Sequence, residues 1–384
     1  MEIVKIKNFA EVITGGTPST TKPEYWEGGD IPWLNSGELN QKIVSKSRNY
    51  ITKIGLEKSS TRLMPIDTVL IALTGSTTGV VGYLTFEACA NQSVTGILPS
   101  KKHIPKYLYH YLNFIRPKVF NDAYGGAQPH ISQGYVKDIE IPLPSLPTQQ
   151  KIAAILDKAD ELRQYNQQLI EKYDALTQSL FLDMFGDPMH NSKKWHEVKF
   201  SEVGKLDRGK SKHRPRNAPE LLNGPYPLVQ TGDIANSGGY IDSYKSTYSE
   251  FGLKQSKLWP KGTLCITIAA NIAKTGILTS EACFPDSVVG FVPNKNTNNI
   301  YVQNWMSFLQ AMIEEKAPMA AQKNINLAIL KDLEFMMPPI SLQNQFAERV
   351  QLIQAQKQQA QEALAKSEEL FQGLLQQAFK GELN

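Results

Sequence analysis

The sequence of 384 residues predicts a mixed α/β (α+β) fold in two pseudo-two-fold related copies, joined by two long antiparallel coiled-coil helices. Three observations lead to this prediction. A block of motifs recurs in the same order after about 195 residues, which indicates an internal duplication. Short β-branched runs follow turn residues in each copy, as is typical of strands. Each copy ends in a long polar segment whose apolar residues recur at helical spacing.

The repeat is carried by four pairs of motifs in collinear order. The pairs are FAEV (9–12) with FSEV (200–203), IPWLNSGEL (31–39) with YPLVQTGDI (226–234), EACANQSVTGILP (87–99) with EACFPDSVVGFVP (281–293), and KDIE (137–140) with KDLE (331–334). Order and spacing are kept throughout. The chain therefore consists of two copies of one module, with the globular parts at 1–146 and 195–340.

Within each globular part the local chemistry predicts strands and one helix. The runs at 68–72 and 263–267 follow the turns at 65–67 and 260–262, so we expect a strand at each place. Segments 106–114 and 302–312 are predicted to be helical. Strands and helices that recur in both copies predict two similar domains.

Two long helices are predicted, at 147–186 and 341–384, with a linker at 187–194 that follows the stop signal GDP. Alternating steps of three and four define the a/d seam of a coiled coil in each. The predicted seam of the first helix is Ile152, Ile155, Ala159, Leu162, Asn166, Leu169, Tyr173, Leu176 and Leu180. That of the second is Phe346, Val350, Ile353, Lys357, Ala360, Leu364, Ser367, Phe371, Leu374 and Ala378.

Each long helix is expected to be the partner of the other, because such narrow apolar stripes are too long for one small domain. The polar residues Asn166 and Lys357 lie in the seam, where they either fix the register or are merely solvated near an end.

Composition excludes several classes of protein. Apolar residues make up 41% and charged residues 20%, with a net charge of +4, which is typical of a globular protein that tolerates a polyanionic partner. We find no secretion signal and no apolar run of membrane-spanning length, so we expect a cytoplasmic protein without membrane contact. Cys89, Cys265 and Cys283 form no C-x-x-C pair, which argues against disulfides and a zinc site.

GKLDRGKS (204–211) has the spacing of a phosphate-binding loop and raises the hypothesis of a nucleotide-binding enzyme. A helix must begin directly after the Ser in such a loop, yet Pro215 and Pro219 stand where its first turns would run. The matched loop of copy one, ITGGTP (13–18), holds no lysine. The pattern therefore predicts no nucleotide site.

We find no catalytic constellation that recurs at matched positions, so the chain is expected to be non-catalytic, without cofactor or metal. The polar residues that differ between the copies lie in loops, where binding residues concentrate. The candidates in copy one are Thr17, Ser19, Thr20, Lys22, Asn35, Ser36, Thr74, Ser76, Thr77, Gln128 and His130. Those in copy two are Arg208, Lys210, Lys212, His213, Arg214, Arg216, Gln230, Thr231, Asn271, Lys274, Gln322, Lys323 and Asn324.

The residue types at these positions indicate DNA as a ligand. Guanidinium forks on an extended segment can contact phosphates or the O6 and N7 atoms of guanine in the major groove. Copy one offers hydroxyl and amide groups instead. Matched domains with unmatched loops predict two modules that read different ligands; a solvated charged loop without a ligand is the alternative.

The chain resembles the DNA-specificity subunits of type I restriction-modification systems. The resemblance rests on IPWLNSGE with YPLVQTGD, on IALTGSTTGVVG (71–82), on AQPHI (127–131), and on IPLPSLPTQQKI (141–152) with MPPISLQNQF (337–346), and it covers essentially the whole chain. Copy two departs from the pattern, with Leu228 for Trp33 and no glycines in its second loop.

The resemblance implies that 1–146 and 195–340 are target-recognition domains, each of which reads one half of a split double-stranded DNA target. It also implies that the helices act as a spacer and dock two copies of a modification subunit, which binds S-adenosylmethionine and methylates adenine. Restriction subunits that use ATP and Mg²⁺ are then expected to complete the complex. The residues expected to serve as spacer and partner contacts are Ile155, Leu162, Asn166, Leu169, Leu176, Val350, Ile353, Leu364, Phe371 and Leu374.

Two alternatives from other classes and one from the same class stay open on the sequence. An enzyme with an active site between the two copies, in which 204–211 binds phosphate, would bind nucleotide as the isolated chain. A coiled-coil scaffold with protein-binding lobes would show no salt-dependent affinity for DNA. A related methylase whose specificity chain lacks a restriction partner would share every feature above.

Overall fold

The computed structural model of the protein describes residues 2–269, 272–316 and 325–383. Its contacts divide the chain into two compact units. Unit 1 comprises Met1–Gln167 with Glu362–Asn384, and unit 2 comprises Gln168–Gln361. Both long helices cross the boundary between the units, because each is one uninterrupted element.

Unit 1 contains ten short strands and its own α-helices among the described residues. The strands are β1 (Ile3–Lys5), β2 (Val12–Thr14), β3 (Ile31–Leu34), β4 (Ile43–Val44), β5 (Asn49–Ile51), β6 (Val69–Ala72), β7 (Val81–Leu84), β8 (Cys89–Ala90), β9 (Val94–Ile97) and β10 (Glu140–Pro142). The α-helices are α1 (Lys53–Glu57), α2 (Pro105–Asn121), α3 (Gln133–Asp138) and the first part of α4 (Leu146–Phe185). Single 3₁₀ turns occupy Ile6–Asn8, Pro23–Tyr25, Ser36–Gln41 and Gly75–Thr77.

The strands of unit 1 form three sheets. The largest has the order β2-β9-β6-β7-β4, with antiparallel pairs except for β4 against β7. A second sheet has the order β5-β3-β8, and β1 pairs with β10. Helix α2 packs on β6 and β7 of the large sheet, and its buried side chains belong to the core of this unit. Strand β2 comes first in the order of the large sheet, so it is an edge strand of that sheet.

Unit 2 repeats this arrangement in its own chain segment. Its strands are β11 (Glu197–Lys199), β12 (Gly204–Arg208), β13 (Leu222–Leu228), β14 (Tyr240–Ile241), β15 (Ser246–Tyr248), β16 (Leu258–Trp259), β17 (Leu264–Thr267), β18 (Thr275–Leu278), β19 (Ala282–Cys283), β20 (Val288–Pro293) and β21 (Glu334–Met336). Its helices are α5 (Thr231–Ala235), α6 (Glu250–Lys254), α7 (Asn299–Lys316), α8 (Leu327–Asp332) and the first part of α9 (Ile340–Lys380), with 3₁₀ turns at Phe200–Glu202 and Pro219–Leu221.

The sheet order of unit 2 is that of unit 1, with β16 as an additional strand of the second sheet. Its large sheet runs β12-β20-β17-β18-β14, the second sheet runs β15-β13-β19-β16, and β11 pairs with β21. Helix caps also recur at matched positions. Thr52 caps α1 and Ser249 caps α6, each by accepting a hydrogen bond from a backbone N–H at 3.1 Å. The duplication read from the sequence is therefore a duplication of fold.

A buried glutamine ties each long helix to its own unit. Gln149 is 1% exposed; its Oε1 accepts from Ile104 N at 2.8 Å, and its Nε2 donates to Pro144 O at 2.8 Å. Gln343, at the same place in α9, makes the matching pair of bonds. Since these bonds are buried and satisfied, they hold the start of α4 against the start of α2, and the start of α9 against the start of α7.

The long helices pack against each other as antiparallel segments inside each unit. In unit 1, Asn166 and Ser367 are buried in the seam, where Asn166 Nδ2 donates to Ser367 Oγ at 3.3 Å. In unit 2, Phe181 packs edge-on against Phe346 with centroids 5.6 Å apart. Lys357 Nζ lies 2.6 Å from Asp174 Oδ1. The prediction that each helix is the partner of the other is thus confirmed within each unit.

The predicted seam of the second helix is confirmed, and that of the first is wrong at two positions. Along α9 Phe346, Val350, Ala360, Ser367, Phe371 and Ala378 are buried, and Ile353, Lys357, Leu364 and Leu374 are half-buried. Along α4 Ile152, Ala159 and Asn166 are buried, and Ile155, Leu169, Tyr173 and Leu180 are half-buried. Leu162 and Leu176, however, are 47% and 49% exposed.

At alternate seam positions of α4 the inward-facing residue is the next one along the chain. Leu156, Arg163, Ile170 and Thr177 are buried or half-buried there, between Ile152, Ala159, Asn166 and Tyr173. Arg163 occupies the seam because its guanidinium lies over the ring of Phe371, 4.9 Å from the centroid, and pairs with Asp160. The Thr177 hydroxyl bonds to Tyr173 O at 3.1 Å. The inward-facing positions are thus occupied in part by polar residues, and some apolar residues are exposed. For this reason the sequence pattern of α4 did not indicate its buried face correctly.

The globular elements agree with the prediction except at their ends. Helix α2 is predicted to end at Phe114, before Pro117, but it continues through that proline to Asn121. Helix α7 likewise extends beyond the predicted 302–312 on both sides. The strands expected at 68–72 and 263–267 are β6 and β17, each one residue shorter at its start.

Burial of His103 predicts a pH dependence of the stability of unit 1. His103 is 2% exposed; its Nδ1 lies 2.9 Å from Ser100 Oγ, and among the described residues its Nε2 has no hydrogen-bond partner. Burial lowers the pKa of His103 from 6.5 to about 4. The unfolded chain binds this proton more readily, so stability should fall by up to about 3 kcal/mol as pH drops from 6.5 towards 4.

Urea denaturation at pH 7 and pH 4.5 tests this expectation. His103→Gln should lose less stability on acidification than the parent chain, because it lacks the titrating group. His190→Gln is the matched control, since the His190 side chain is 79% exposed. An equal acid loss in the parent and in His103→Gln would contradict the prediction.

Candidate nucleic-acid interface

The end of β2 leads directly into the first candidate loop of unit 1. Gly15 N donates to Val94 O at 2.9 Å, and Gly16 N donates to Ala90 O at 2.8 Å. A Cβ on Gly15 would lie 2.2 Å from Ala90 O, so only glycine permits this close approach. The loop that follows Thr14 is therefore fixed beside the segment Asn91–Ser93.

Polar side chains of this loop are held by one another and by that segment. Thr17 Oγ1 donates to Gln92 Oε1, and Ser19 Oγ lies 2.9 Å from Thr21 Oγ1. Lys22 Nζ donates to Tyr25 Oη at 3.1 Å. Thr17, Ser19, Thr20 and Lys22 are exposed. The predicted residues of the first loop therefore present hydroxyl groups and one ammonium group to solvent.

The second and third candidate loops of unit 1 lie against each other. Thr74 and His130 form an antiparallel bridge, Gly75 N donates to Pro129 O at 2.9 Å, and Thr77 Oγ1 donates to Thr74 O at 3.1 Å. The rings of Tyr124 and His130 meet edge-on, 5.2 Å apart. Ser76 and Gln128 are exposed on this pair of loops.

The second loop also adjoins the segment that holds the first. Leu73 N donates to Ser93 O at 2.8 Å, while Asn91 N donates to Leu34 O at 2.9 Å. Asn35 follows Leu34 and caps the next turn, because its Oδ1 accepts from Gly37 N at 3.0 Å. Ser36 is half-buried beside it. The structure thus brings the predicted residues of copy one together around residues 91–93, and it gives Asn35 a structural role that the sequence did not reveal.

The basic loop of unit 2 occupies the place of the first loop of unit 1. Gly209 N donates to Val288 O at 2.8 Å, as Gly15 does to Val94. Gln255 Oε1 accepts from Lys212 N at 2.6 Å and from His213 N at 3.1 Å. GKLDR is strand β12, and the next helical turn begins only at Pro219. This geometry excludes the phosphate-binding-loop hypothesis, because no helix follows Ser211.

Three predicted arginines converge on Asp286. Arg216 Nη2 lies 2.6 Å from Asp286 Oδ1, and Arg214 Nη2 lies 4.0 Å from Oδ2. Arg208 donates through Nε, at 2.8 Å, and Nη2, at 2.5 Å, to the Asp286 backbone oxygen. Lys210 and Lys212 are exposed, and His213 is partly buried against the ring of Phe251.

Arg216 also lines a cavity of about 300 Å³ together with the other predicted group of unit 2. Gln230 and Thr231 form part of its wall. Residues of the wall that the sequence did not indicate are Ser211, Asn217, Leu228, Tyr248, Pro285 and Ser287. Gln230 Nε2 approaches Ser246 Oγ at 3.4 Å. The structure therefore brings Arg216, Gln230 and Thr231 to one site.

Copy two contains five further predicted site residues, at positions 271, 274, 322, 323 and 324. Lys274 is exposed on a turn in which Ala273 N donates to Thr267 O at 2.9 Å. Asn271, Gln322, Lys323 and Asn324 lie outside the described residues.

A cleft in unit 1 contains cations that the sequence did not indicate. Its volume is about 770 Å³, and it follows the outer edge of β2 from Ala10 to Gly15, where Gln133 Nε2 donates to Val12 O at 3.1 Å. The polar and charged residues in its wall are Lys7, Glu11, Thr14, Ser60, Arg62, Gln133 and Lys137. Lys7 is paired with Asp138 at 2.7 Å. The cations come from three separate segments, so no local pattern in the sequence revealed them.

Asp286 is also absent from the predicted residues, although a signal for it exists in the repeat. The motif EACANQSV of copy one becomes EACFPDSV, so Asp286 stands where copy one has Gln92. Both residues hold the loop that follows the first edge strand of their unit. The replacement of a neutral residue by an acidic one inside a matched motif could therefore have pointed to Asp286.

No group of His, Cys, Asp and Glu among the described residues could hold a metal ion. Burial raises the pKa of Cys89 to about 11 and holds the pKa values of Cys265 and Cys283 above their usual range. These thiols are therefore protonated at neutral pH and are poor nucleophiles. Within the same residues, no helix combines the length and the apolar character required to span a bilayer.

Comparison with known proteins identifies the family. The type I restriction modification DNA specificity domain matches residues 1–172 and 192–365. The MjaIX specificity subunit of Methanocaldococcus jannaschii is 28% identical over 277 residues, which cover 67% of this chain and 63% of that protein. The EcoR124I/EcoR124II specificity subunit of Escherichia coli is 33% identical over 153 residues, 38% of each chain. Each match thus spans less than two thirds of the relative's length.

Solved structures show the same fold. The S subunit of the type I restriction-modification system from M. genitalium aligns with a TM-score of 0.63 at 17% identity, covering 98% of this chain and 96% of the other. A chain from a study of complex assembly and conformational transition of the type I R-M system aligns with a TM-score of 0.59 at 16% identity, covering 100% and 98%. The mixed α/β fold with long linking helices, and the family match over both copies, lead to one conclusion: the chain belongs to the type I restriction modification DNA specificity family, whose members determine specificity and are not the catalytic subunits.

Proposed function

We propose that this chain reads a bipartite, asymmetric double-stranded DNA target, one half with each unit, in the cytoplasm. One observation carries the proposal: the same fold occurs twice, and the same loop position carries hydroxyl groups in one copy and arginines in the other. In this proposal the chain directs two copies of a modification subunit, which binds S-adenosylmethionine and methylates adenine. Restriction subunits supply the chemistry that uses ATP and Mg²⁺.

In unit 1 the loops around residues 91–93 are suited to base edges. The hydroxyl groups of Thr17 and Ser76 can donate or accept, and the Gln128 amide can do both at once. The cations of the neighbouring cleft, Lys7, Arg62 and Lys137, are suited to phosphates. Backbone contacts from the cleft would fix the orientation of the duplex, while the loops supply the sequence preference.

In unit 2 the three arginines are also proposed to contact base edges, but through guanidinium groups instead of hydroxyl groups. An arginine fork matches the O6 and N7 acceptors of guanine, and Gln230 can form a bidentate pair with adenine. Arg216 and Gln230 line one cavity, so they can act on neighbouring bases. The half-site read by unit 2 is therefore expected to be the one that contains guanine.

The long helices are proposed to set the spacing between the half-sites. Each is continuous through both units, and Gln149 and Gln343 anchor its start to the unit in which it begins. A helix that is hydrogen-bonded along its whole length and packed on a partner does not change length under thermal motion as a flexible linker does. The number of residues between the anchors would thus fix the number of unread base pairs.

Matched leucines on the two helices are proposed to dock the modification subunits. Leu176 is 49% exposed, and Leu370, which has the same place in the second copy of the helix, is 51% exposed. Two copies of one partner need two equivalent contact sites, and an exposed apolar side chain at matched positions provides them. Leu162 is equally exposed, but Gln356 has its place in the second helix.

Insertion of one helical turn tests the spacer role and, with it, the proposed function. Four residues added to both α4 and α9 would lengthen each helix by about 6 Å, equivalent to one or two base pairs. Long-read sequencing of methylated bases in the host should then show a longer unread gap and the same two half-sites. Four residues added to the linker at 187–194 serve as the control and should leave the gap unchanged. An unaltered gap in the helix variant would refute the spacer role, and absence of any motif that depends on this gene would refute the function.

Substitution of the matched leucines tests partner docking. Leu176→Asp and Leu370→Asp should each weaken one of the two contacts by at least about tenfold, because a carboxylate replaces an apolar side chain that the docked partner would bury. Native mass spectrometry should show one modification subunit bound in either variant and none in the double variant. Leu352→Asp is the control; Leu352 is 70% exposed, but Lys158 has its place in the first helix. Two bound copies in either single variant would argue against this surface.

A further inference from the structure

One position of the repeat holds the DNA-facing loop in each unit, with a neutral side chain in one copy and an acid in the other. Gln92 Oε1 accepts a hydrogen bond from Thr17 in unit 1. In unit 2 the same position is Asp286, and its carboxylate faces Arg216 and Arg214. The residue type at this position thus follows the chemistry of the loop that it holds.

The three arginines are not held in the same way. Arg208 contacts only the backbone oxygen of Asp286, so this contact would survive any substitution at position 286. Arg216 contacts the carboxylate at 2.6 Å, and Arg214 reaches it at 4.0 Å. Arg214 is also tied to its own loop, since its Nη1 donates to Ser211 O at 2.7 Å and to His213 O at 2.8 Å. Arg216 is therefore the arginine whose direction depends most on the Asp286 side chain.

We propose that Asp286 is a positioning residue for DNA specificity in unit 2, which directs Arg216 into the cavity formed with Gln230 and Thr231. This proposal rests on the DNA-reading function proposed above. The carboxylate does two things to the guanidinium. It restricts the rotamers of a long side chain before binding, which lowers the entropy lost when a base is contacted. It also offsets the positive charge, so a lone phosphate gains little by recruiting this arginine.

A phosphate can accept two parallel hydrogen bonds from the fork just as a guanine edge can. The selectivity would therefore come from the place where the carboxylate holds the guanidinium, beside Gln230 and Thr231, whose side chains are also suited to base edges. Asp286 therefore favours the matching base pair over non-specific backbone contact. The exposure of both partners keeps their mutual attraction small, with side-chain exposures of 48% for Arg216 and 36% for Asp286. DNA can consequently replace the carboxylate as the partner of the guanidinium without a large loss.

Asp286→Asn tests the proposal, since it keeps the shape and removes the charge. The full chain with its modification partner is titrated with a duplex that carries its methylated motif and with a scrambled duplex of equal length, at several salt concentrations. The ratio of the two affinities should fall by about tenfold, mostly through tighter binding of the scrambled duplex. Asp286→Glu retains the charge and should recover most of the ratio.

Asp207→Asn is the matched control. Asp207 lies on β12 and pairs with Lys205 at 3.5 Å and with Lys257 at 3.6 Å, so its loss removes the same charge close by without releasing an arginine. We expect it to tighten binding to both duplexes alike and to leave their ratio unchanged. Equal ratios in Asp286→Asn and in the parent, or the same fall in Asp207→Asn, would overturn the proposal.

A double-mutant cycle identifies the arginine through which Asp286 acts. In an Arg216→Ala background, Asp286→Asn should change the ratio no further, whereas in an Arg208→Ala background its full effect should remain. The same effect in both backgrounds would overturn the assignment to Arg216. If Arg208→Ala, Arg214→Ala and Arg216→Ala all leave DNA affinity unchanged, the proposed DNA reading by this loop fails. If the arginines matter and Asp286→Asn does not, only the present inference fails.

Discussion

The constraint on which the structure depends is the burial of a narrow stripe on each long helix against the other, which is far away in sequence. Such a stripe is too long to be buried on one small domain over its whole length. The chain therefore folds back, and the two helices cover each other's stripes. Inside unit 1 this contact includes Asn166 with Ser367, and inside unit 2 it includes Phe181 with Phe346. The two copies of the module are thereby committed to a shared pair of helices, although each folds around its own sheets and core.

The loops at the ends of the edge strands are free to differ because the fold constrains only their backbone. In both units a glycine allows the loop to approach the neighbouring strand, and its N–H closes the same hydrogen bond. After that glycine the chain forms a hydroxyl-rich turn in one unit and an arginine-rich turn in the other. One position beside the loop, Gln92 or Asp286, changes with it. The side chains of these loops can thus differ without disturbing the cores or the anchors Gln149 and Gln343.

Most of the architecture was predictable because duplication doubles every local signal. The strands after Pro-containing turns, the helix after each large sheet and the two long helices all follow from the sequence, with errors at ends such as the continuation of α2 through Pro117. The stripe of the first long helix was misplaced by one residue at alternate positions, because the half-buried Arg163 and the buried Thr177 are accommodated through contacts that only the folded chain supplies. The same reason conceals the cleft of unit 1, whose cations come from distant segments. Contacts between residues far apart in sequence have no local pattern.

We propose that the two units read DNA independently while they share one pair of long helices, and the exchange of one unit tests this proposal most directly. Residues 195–340 would be replaced by the corresponding segment of another specificity chain whose methylated motif is known, and the methylated bases of a host that carries the chimaera would be mapped. We expect one half of the methylated motif to change to that of the donor, while the other half and the length of the gap stay as they were. A motif that changes in both halves, or a continuous motif without a gap, would contradict it.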